Sequence, residues 1–266
     1  MTFKKEVQKR IISNSANRSL QKAAHDLMKE SLLAHYSYNF SSIGRPIIQY
    51  PQDMVAVQEL IWSIKPDLII ETGIAHGGSL VMNAAMLAML DYCDAAVTGE
   101  SLDPKISQRR VLGLDIEIRP HNRAAIEAHP LAHKIEMIEG DSISPEIVEK
   151  VHKIASKYDR ILVMLDSNHT HEHVLAELEA YAPLTTRGSY CVVFDTIVEN
   201  MPAEMFPDRP WGPGNNPKTA VREYFRRLTE EGRKAADGLP LKYELDEMIE
   251  NKLVITVAPE GYLRRI

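Results

Sequence analysis

The sequence predicts an α/β fold: an open Rossmann-like sheet, mostly parallel, closed by a C-terminal antiparallel hairpin and covered by helices on both faces. Three observations predict it. Five short apolar runs recur along the chain, several ending at an acid. Helical patterns separate most of them, and strand–helix alternation implies parallel strands joined by right-handed crossovers. Two further strand-like runs, at 241–247 and 252–258, are joined by too few residues for a parallel crossover but enough for a hairpin.

The elements follow in order. Residues 4–35 read as a polar, peripheral helical segment broken near Ser13–Arg18. Residues 36–51 read as an aromatic loop punctuated by Gly44, Pro46 and Pro51. Together, residues 1–50 form an extension expected to make substrate or oligomer contacts, with the main domain at 51–266. In the helix predicted over 52–64, Val57, Leu60, Ile61 and Ile64 share one face. The period then changes: Asp67–Glu71 is a buried parallel strand, and Ser79–Leu90 is a helix rich in Ala, Met and Leu. The remaining parallel strands are Val111–Leu114, Lys134–Ile138, Ile161–Leu165 and Tyr190–Phe194, with helices near 120–128, 144–157 and 171–182. A polar insertion falls at Asp94–Arg109. The segment 200–217, rich in proline and carrying Trp211, is a long loop after the fifth strand, a lid or equally a peripheral contact. Asn216-Pro217 then opens a helix as a cap followed by a first-turn proline.

Composition bounds the function. The chain has 266 residues, 44% hydrophobic and 26% charged, which is ordinary globular composition. A net charge of −6 speaks against nucleic acid, whose phosphates call for a basic face. Arg226-Arg227 and Arg264-Arg265 read as solvated faces. Two cysteines, Cys93 and Cys191, give no disulfide framework, and Cys191 reads as a small buried hydrophobe. The N-terminus lacks the apolar core of a signal peptide, and no apolar run is expected to reach the roughly 18 residues of a bilayer span. The expectation is a cytoplasmic protein without a transmembrane segment.

Ligands of open α/β sheets bind beyond the carboxyl ends of the strands. The first end is Glu71-Thr72-Gly73-Ile74-Ala75-His76-Gly77-Gly78-Ser79. Its glycines permit a tight turn and close approach of a ligand, and the next helix offers free N–H groups to a carboxylate. The pattern is not G-x-G-x-x-G, and Glu71 suits a ligand bearing an ammonium group, such as the methionine part of S-adenosylmethionine. An unliganded strand-to-helix turn is the plain alternative. At the second end Asp115 is placed to accept two ribose hydroxyls. It follows Glu71 by well over the roughly 20 residues of a compact βαβ unit, an excess the polar insertion accounts for. At the third, Gly140-Asp141-Ser142 suits an adenine edge or an ordinary helix cap. The fourth and fifth ends carry Asp166 and Asp195. On adjacent strands they converge on one cation, magnesium or manganese by their oxygen donors, unless Asp166 is merely a cap. His169 is the candidate general base, while His171 and His173 read as outer turns of a helix.

With these residues in hand, the chain resembles the cephalosporin hydroxylase family, also described as rhamnosyl O-methyltransferases, from about Tyr36 to Ile266. The stretches that carry the likeness are GRPIIQYPQDM (44–54), IIETGIAHGGS (69–79), GLDIEIRPHN (113–122), LDSNHTHEHV (165–174), VVFDT (192–196) and WGPGNNPKTAV (211–221). The resemblance implies a Rossmann-like methyltransferase sheet, S-adenosylmethionine and magnesium, and an O-methyltransferase acting on a sugar hydroxyl or a similar compound, with a homo-oligomer common among such proteins. It implies cofactor roles for Glu71, Gly73, Ser79, Asp115 and Asp141, and metal roles for Asp166 and Asp195. The residues themselves add Thr72, Gly77, Ile116 and Ser142 as cofactor candidates, and Asp166 and His169 as catalytic candidates. Where some members carry a further acid before the second aspartate this chain has Phe194, so Thr196, Glu199 or water is left as the third ligand. Three alternatives stand beside this reading. They are a non-catalytic S-adenosylmethionine-binding partner of another enzyme, a non-haem iron hydroxylase drafting His169, His171 and Glu172, and a nicotinamide oxidoreductase.

Overall fold

The computed structural model describes residues 2–266. Helix α1 (Phe3–Ala16) and helix α2 (Arg18–Leu33) are split at Asn17, whose side chain caps α2 by accepting from Leu20 N at 3.1 Å. The expected aromatic loop contains a small antiparallel pair, β1 (Phe40–Ser42) and β2 (Arg45–Ile47). Helix α3 (Pro51–Ile64) leads to β3 (Leu68–Thr72), then α4 (Gly78–Thr98), β4 (Arg110–Asp115), α5 (Pro120–Glu127), β5 (Ile135–Glu139) and α6 (Pro145–Ala155). Strand β6 (Ile161–Leu165), α7 (His171–Tyr181) and β7 (Tyr190–Val193) follow, and then α8 (Pro217–Glu231), β8 (Tyr243–Leu245), α9 (Glu247–Leu253) and β9 (Tyr262–Arg265).

The main sheet has the order β5-β4-β3-β6-β7-β9-β8. Its first five strands are parallel, while β9 runs antiparallel to both β7 and β8. Successive strand residues face opposite sides, and both sides are buried, which is why the strands read as continuous apolar runs. Ile69, Val111, Leu162, Met164 and Val192 face a core shared with α3 and α4. On the other side Ile70, Leu112, Val163, Leu165, Cys191 and Val193 face a core shared with α6, α7 and α8. Cys191 is fully buried there, and burial pushes its thiol up.

Three expectations are corrected. The closing hairpin is present, but Lys252–Ala258 is not its second strand. That stretch ends α9 and continues as a loop, turned at Val254 with φ of 63°. Its Val257 and Ala258 are buried, with Leu253 and Ile255 partly so, beside α3, where Asp53 accepts hydrogen bonds from Thr256 Oγ1, Val257 N and Tyr262 Oη. The strand that pairs with β7 and β8 is β9, and its Arg265 is not a solvated residue. It is 2% exposed, donates to Thr185 O at 2.6 Å and pairs with Asp237 at 2.7 Å. Finally, α4 is long and apolar enough, by length and composition, to cross a membrane. Its Leu80, Ala84, Leu87 and Leu90 are buried in the core beside Ile69 and Val111, as in a core helix. It also absorbs the start of the expected polar insertion, whose Arg109 pairs back onto Asp91 and Asp94 at 2.6 and 2.7 Å.

Candidate active site

The strand order reverses between β3 and β6, and the chain's chemical groups gather at the carboxyl ends of the strands around that point. At the tip of β3, Glu71 is 2% exposed. One carboxylate oxygen accepts from Ser79 Oγ and the other from Asn83 Nδ2 at 2.8 Å. Burial raises its pKa to about 8, against the opposing hydrogen bond from Ser79. Thr72 is fully buried, and its carbonyl accepts a hydrogen bond from Asp166 N at 3.0 Å. Gly73 has φ of +88°, and a Cβ there would lie 1.9 Å from the Asp166 carbonyl oxygen, so no side chain fits between the tips of β3 and β6. Gly77 caps α4, and Gly78 lies so close to β2 that a Cβ would meet the Pro46 carbonyl at 2.2 Å.

Asp115, at the end of β4, turns one oxygen to the N–H groups of Ile74 and Ala75, at 2.8 and 3.1 Å. Its other oxygen accepts from Glu117 N at 3.2 Å. The acid expected to meet a ribose therefore also shapes the glycine-rich turn. Its neighbour Ile116 is 73% exposed. Beyond β5, Asp141 is exposed and accepts from Ile143 N at 3.2 Å. Ser142 is buried and turned inward, donating to Glu177 Oε1 at 2.6 Å. Ser167 Oγ donates to the same oxygen at 2.7 Å. The fully buried Glu177 thus ties the tip of β5 to the tip of β6. Burial alone would lower the His173 pKa, but Glu177 beside it holds the imidazole above its usual range.

Strands β6 and β7 are neighbours, and their tips bring Asp166, His169 and Asp195 together, with one ligand atom from each within 4.8 Å of the others. His169 Nε2 lies 3.2 Å from Asp195 Oδ2 and 3.7 Å from Asp166 Oδ1. Asp195 takes a left-handed φ of 55°, unusual for a residue with a side chain and a mark of a shaped site. Burial raises the Asp195 pKa to about 6, with His169 pulling it back and Asp166 repelling it further. Burial would lower His169, yet Asp195 and then Asp166 outweigh it and hold the imidazole at about 9. The three side chains stay 22–30% accessible, so water tempers these shifts. Thr196 does not face the cluster: it is buried and donates to Pro259 O at 2.7 Å. Glu199 is likewise engaged, by Gly214 N at 2.7 Å and by Asn216 Nδ2. The third group beside the two aspartates is His169. His171 turns to Thr219 Oγ1 at 2.8 Å, leaving a single imidazole at the cluster.

The long loop after β7 closes over this end. The Trp211 ring packs against the His169 ring at 4.9 Å, tilted by 54°, and Arg209 lies over the Trp211 ring at 5.2 Å. Asn216 caps α8 through a reciprocal bond with Thr219, the arrangement its Asn-Pro start predicts. Sequence reasoning missed Asn83, Asn122 and Glu177. Asn83 lies twelve residues after Glu71, on the buried face of a helix that reads as wholly apolar around it. Glu177 sits four residues after His173, a helical spacing that leaves a trace in sequence but no sign of burial.

A sheet of this order with an antiparallel last pair, a glycine-rich turn after its central strand and an acid at the next tip defines a Rossmann-like methyltransferase. Within that class the chain belongs to the rhamnosyl O-methyltransferase/CmcI family, which residues 34–266 match. It is 30% identical over 218 residues to a rhamnosyl O-methyltransferase of Mycobacterium tuberculosis (strain ATCC 25618 / H37Rv), spanning 80% of this chain and 73% of that one. A rhamnosyl O-methyltransferase of Mycobacterium leprae (strain TN) is 29% identical over 224 residues, spanning 84% and 82%. Among solved structures, CmcI with Mg and SAM has the same fold, with a TM-score of 0.52 and 15% identity over 86% of this chain and 77% of that one.

Proposed function

We propose that this chain moves the methyl group of S-adenosylmethionine onto a hydroxyl of a saccharide or a related polar compound, beside a divalent cation, in the cytoplasm. One observation carries the reading: Asp166, His169 and Asp195 converge at the tips of β6 and β7, next to the glycine-rich turn of β3. The family adds the acceptor class, since relatives bear the name rhamnosyl O-methyltransferase.

The two carboxylates would hold magnesium or manganese through oxygen, with no thiol at the cluster. A bound ion of this kind supplies Lewis acidity that lowers the pKa of an acceptor hydroxyl. Asp166 and Asp195 hold the negative side of the cleft. With a cation on the two carboxylates in place of its own proton, His169 would be neutral and would take the hydroxyl proton at Nε2, the nitrogen that faces both carboxylates. On the cofactor side, Glu71 and the turn from Thr72 to Ser79 receive the methionine end, with Gly73 and Gly77 leaving room for it. Asp115 takes the ribose, Ile116 covers the adenine, and Asp141 and Ser142 border it. Trp211 shields His169 from bulk water. The N-terminal extension, with Tyr38 55% exposed and Leu27 and Leu33 each 53% exposed, serves acceptor or subunit contacts in a homo-oligomer.

The test is a methyl-transfer assay with S-adenosylmethionine and rhamnosyl acceptors, with and without a chelator, alongside calorimetric titration of S-adenosylhomocysteine. Cofactor binding with cation-dependent methylation is the expected result. Cofactor binding without transfer to any hydroxyl acceptor would instead favour a non-catalytic partner. An iron hydroxylase would need two imidazoles and one carboxylate, whereas this cluster has the reverse.

A further inference from the structure

The turn that the cofactor reading relies on, Ile74 to Gly77, is held by Asp115 and, from outside, by two residues the reading does not use. Ala75 has a left-handed φ of 46°. Such a conformation in a residue with a Cβ costs of order 1 kcal/mol and persists only when its surroundings enforce it. Three side chains do so. Asp115 accepts the Ile74 and Ala75 N–H groups from below. Asn122, 3% exposed at the start of α5, donates through Nδ2 to the Ala75 carbonyl at 2.9 Å. Arg45, on β2, donates to the His76 carbonyl from Nε at 3.0 Å and from Nη2 at 2.7 Å, and Nη2 also reaches Asn122 Oδ1 at 3.0 Å. The Arg45 guanidinium is thus spent on the turn.

The β1–β2 hairpin that carries Arg45 is fixed at two more points. His129 Nε2 donates to the Ile43 carbonyl at 3.0 Å while its Nδ1 accepts from Leu131 N at 3.2 Å, so both ring nitrogens are consistent with one tautomer. Gly78 presses against the Pro46 carbonyl. The hairpin, the turn and α5 therefore form one braced unit.

Resting on the methyltransferase reading above, we propose that Arg45, seconded by Asn122, is a positioning residue for the cofactor. It keeps the strained Ala75 turn in its binding shape, and so makes S-adenosylmethionine affinity depend on the docking of the N-terminal hairpin. The planar fork matters as well as the charge, because one guanidinium addresses two acceptors that a lysine ammonium cannot reach together in the same geometry.

The test is calorimetric titration of S-adenosylhomocysteine into the full-length protein and its variants, at a temperature where thermal unfolding shows each to be folded. Arg45→Lys is expected to weaken binding about tenfold and Arg45→Ala about a hundredfold, the scale of losing one or more bonds from a charged donor. Ala75→Gly in the Arg45→Ala background is expected to recover part of that loss, since glycine takes the left-handed turn without strain. A role in stability alone would move the unfolding midpoint and leave the affinity of the folded protein unchanged. Arg45→Lys binding as tightly as wild type overturns the inference and leaves the methyltransferase reading standing. Wild type failing to bind S-adenosylhomocysteine overturns that reading and the inference with it. Should Arg45→Ala not fold, Arg45→Lys decides alone.

Discussion

The tips of β3 and β4 and the tips of β6 and β7 border the same cleft but are finished in opposite ways. On the β3–β4 side every acid is answered: Glu71 by Ser79 and Asn83, Asp115 by three backbone N–H groups. On the β6–β7 side two aspartates share one histidine, and no lysine or arginine pairs with either among the described residues. The first side is shaped in advance for a small organic ligand. The second carries charge that protein groups leave only partly balanced, the condition under which a cation is bound and pKa values shift.

That contrast predicts which changes separate binding from transfer. The largest effect is expected on the acidic side. Chelating divalent cations, or Asp195→Asn, should lower methyl transfer to a rhamnosyl acceptor roughly a thousandfold while S-adenosylhomocysteine affinity stays within about threefold. A parallel loss of both would show the two sides to be one unit. Next comes the joint between them. Gly73→Ala drives a Cβ into the Asp166 carbonyl at 1.9 Å, and is expected to cost about 3 kcal/mol of stability in denaturant unfolding, with binding and transfer both impaired. On the braced side, Asp115→Ala should weaken S-adenosylhomocysteine about a hundredfold in calorimetry, through the ribose contact and the released turn together.

The smallest effect concerns Asp53, away from the cleft. Burial raises its pKa to about 6, against hydrogen bonds from Thr256, Val257 and Tyr262. The folded protein thus holds this proton more tightly than the unfolded chain does, from the unfolded value of 3.8 up to about 6. Asp53 is therefore least costly to the fold below pH 3.8, and its contribution to stability is lost as pH rises through 6. Relative to wild type, Asp53→Asn should flatten the fall in melting temperature across this window, by an amount equivalent to at most about 3 kcal/mol. An unchanged profile would show that Asp53 is not the group titrating there.

Most of this architecture is legible in the chain. The five parallel strands are found within a residue or two because buried parallel strands must be apolar on both sides, and the site acids stand where those runs end. The closing pair is harder. Leu253–Ala258 has the composition of a strand but is buried by a loop wrapped around Asp53, whereas β9 carries two arginines and hides one in an ion pair with Asp237. Composition reports burial, not what does the burying. The three candidate metal donors show the same limit. Asp166 and Asp195 announce themselves by position. That Thr196 turns away depends on Pro259, more than sixty residues on in sequence, and that His169 turns inward depends on Asp195 and Trp211.

The placement of β9 also bears on the order in which the molecule assembles. Strand β8 has no partner in the sheet but β9, and that short pair joins the sheet only where β9 meets β7, far back along the chain. Pairing across such separations is slow because loop closure comes before the contacts that reward it. In pulse-labelling during refolding, Tyr243–Leu245 should therefore acquire hydrogen-exchange protection after β3 and β6, which makes this outer ribbon a late reporter of completed folding.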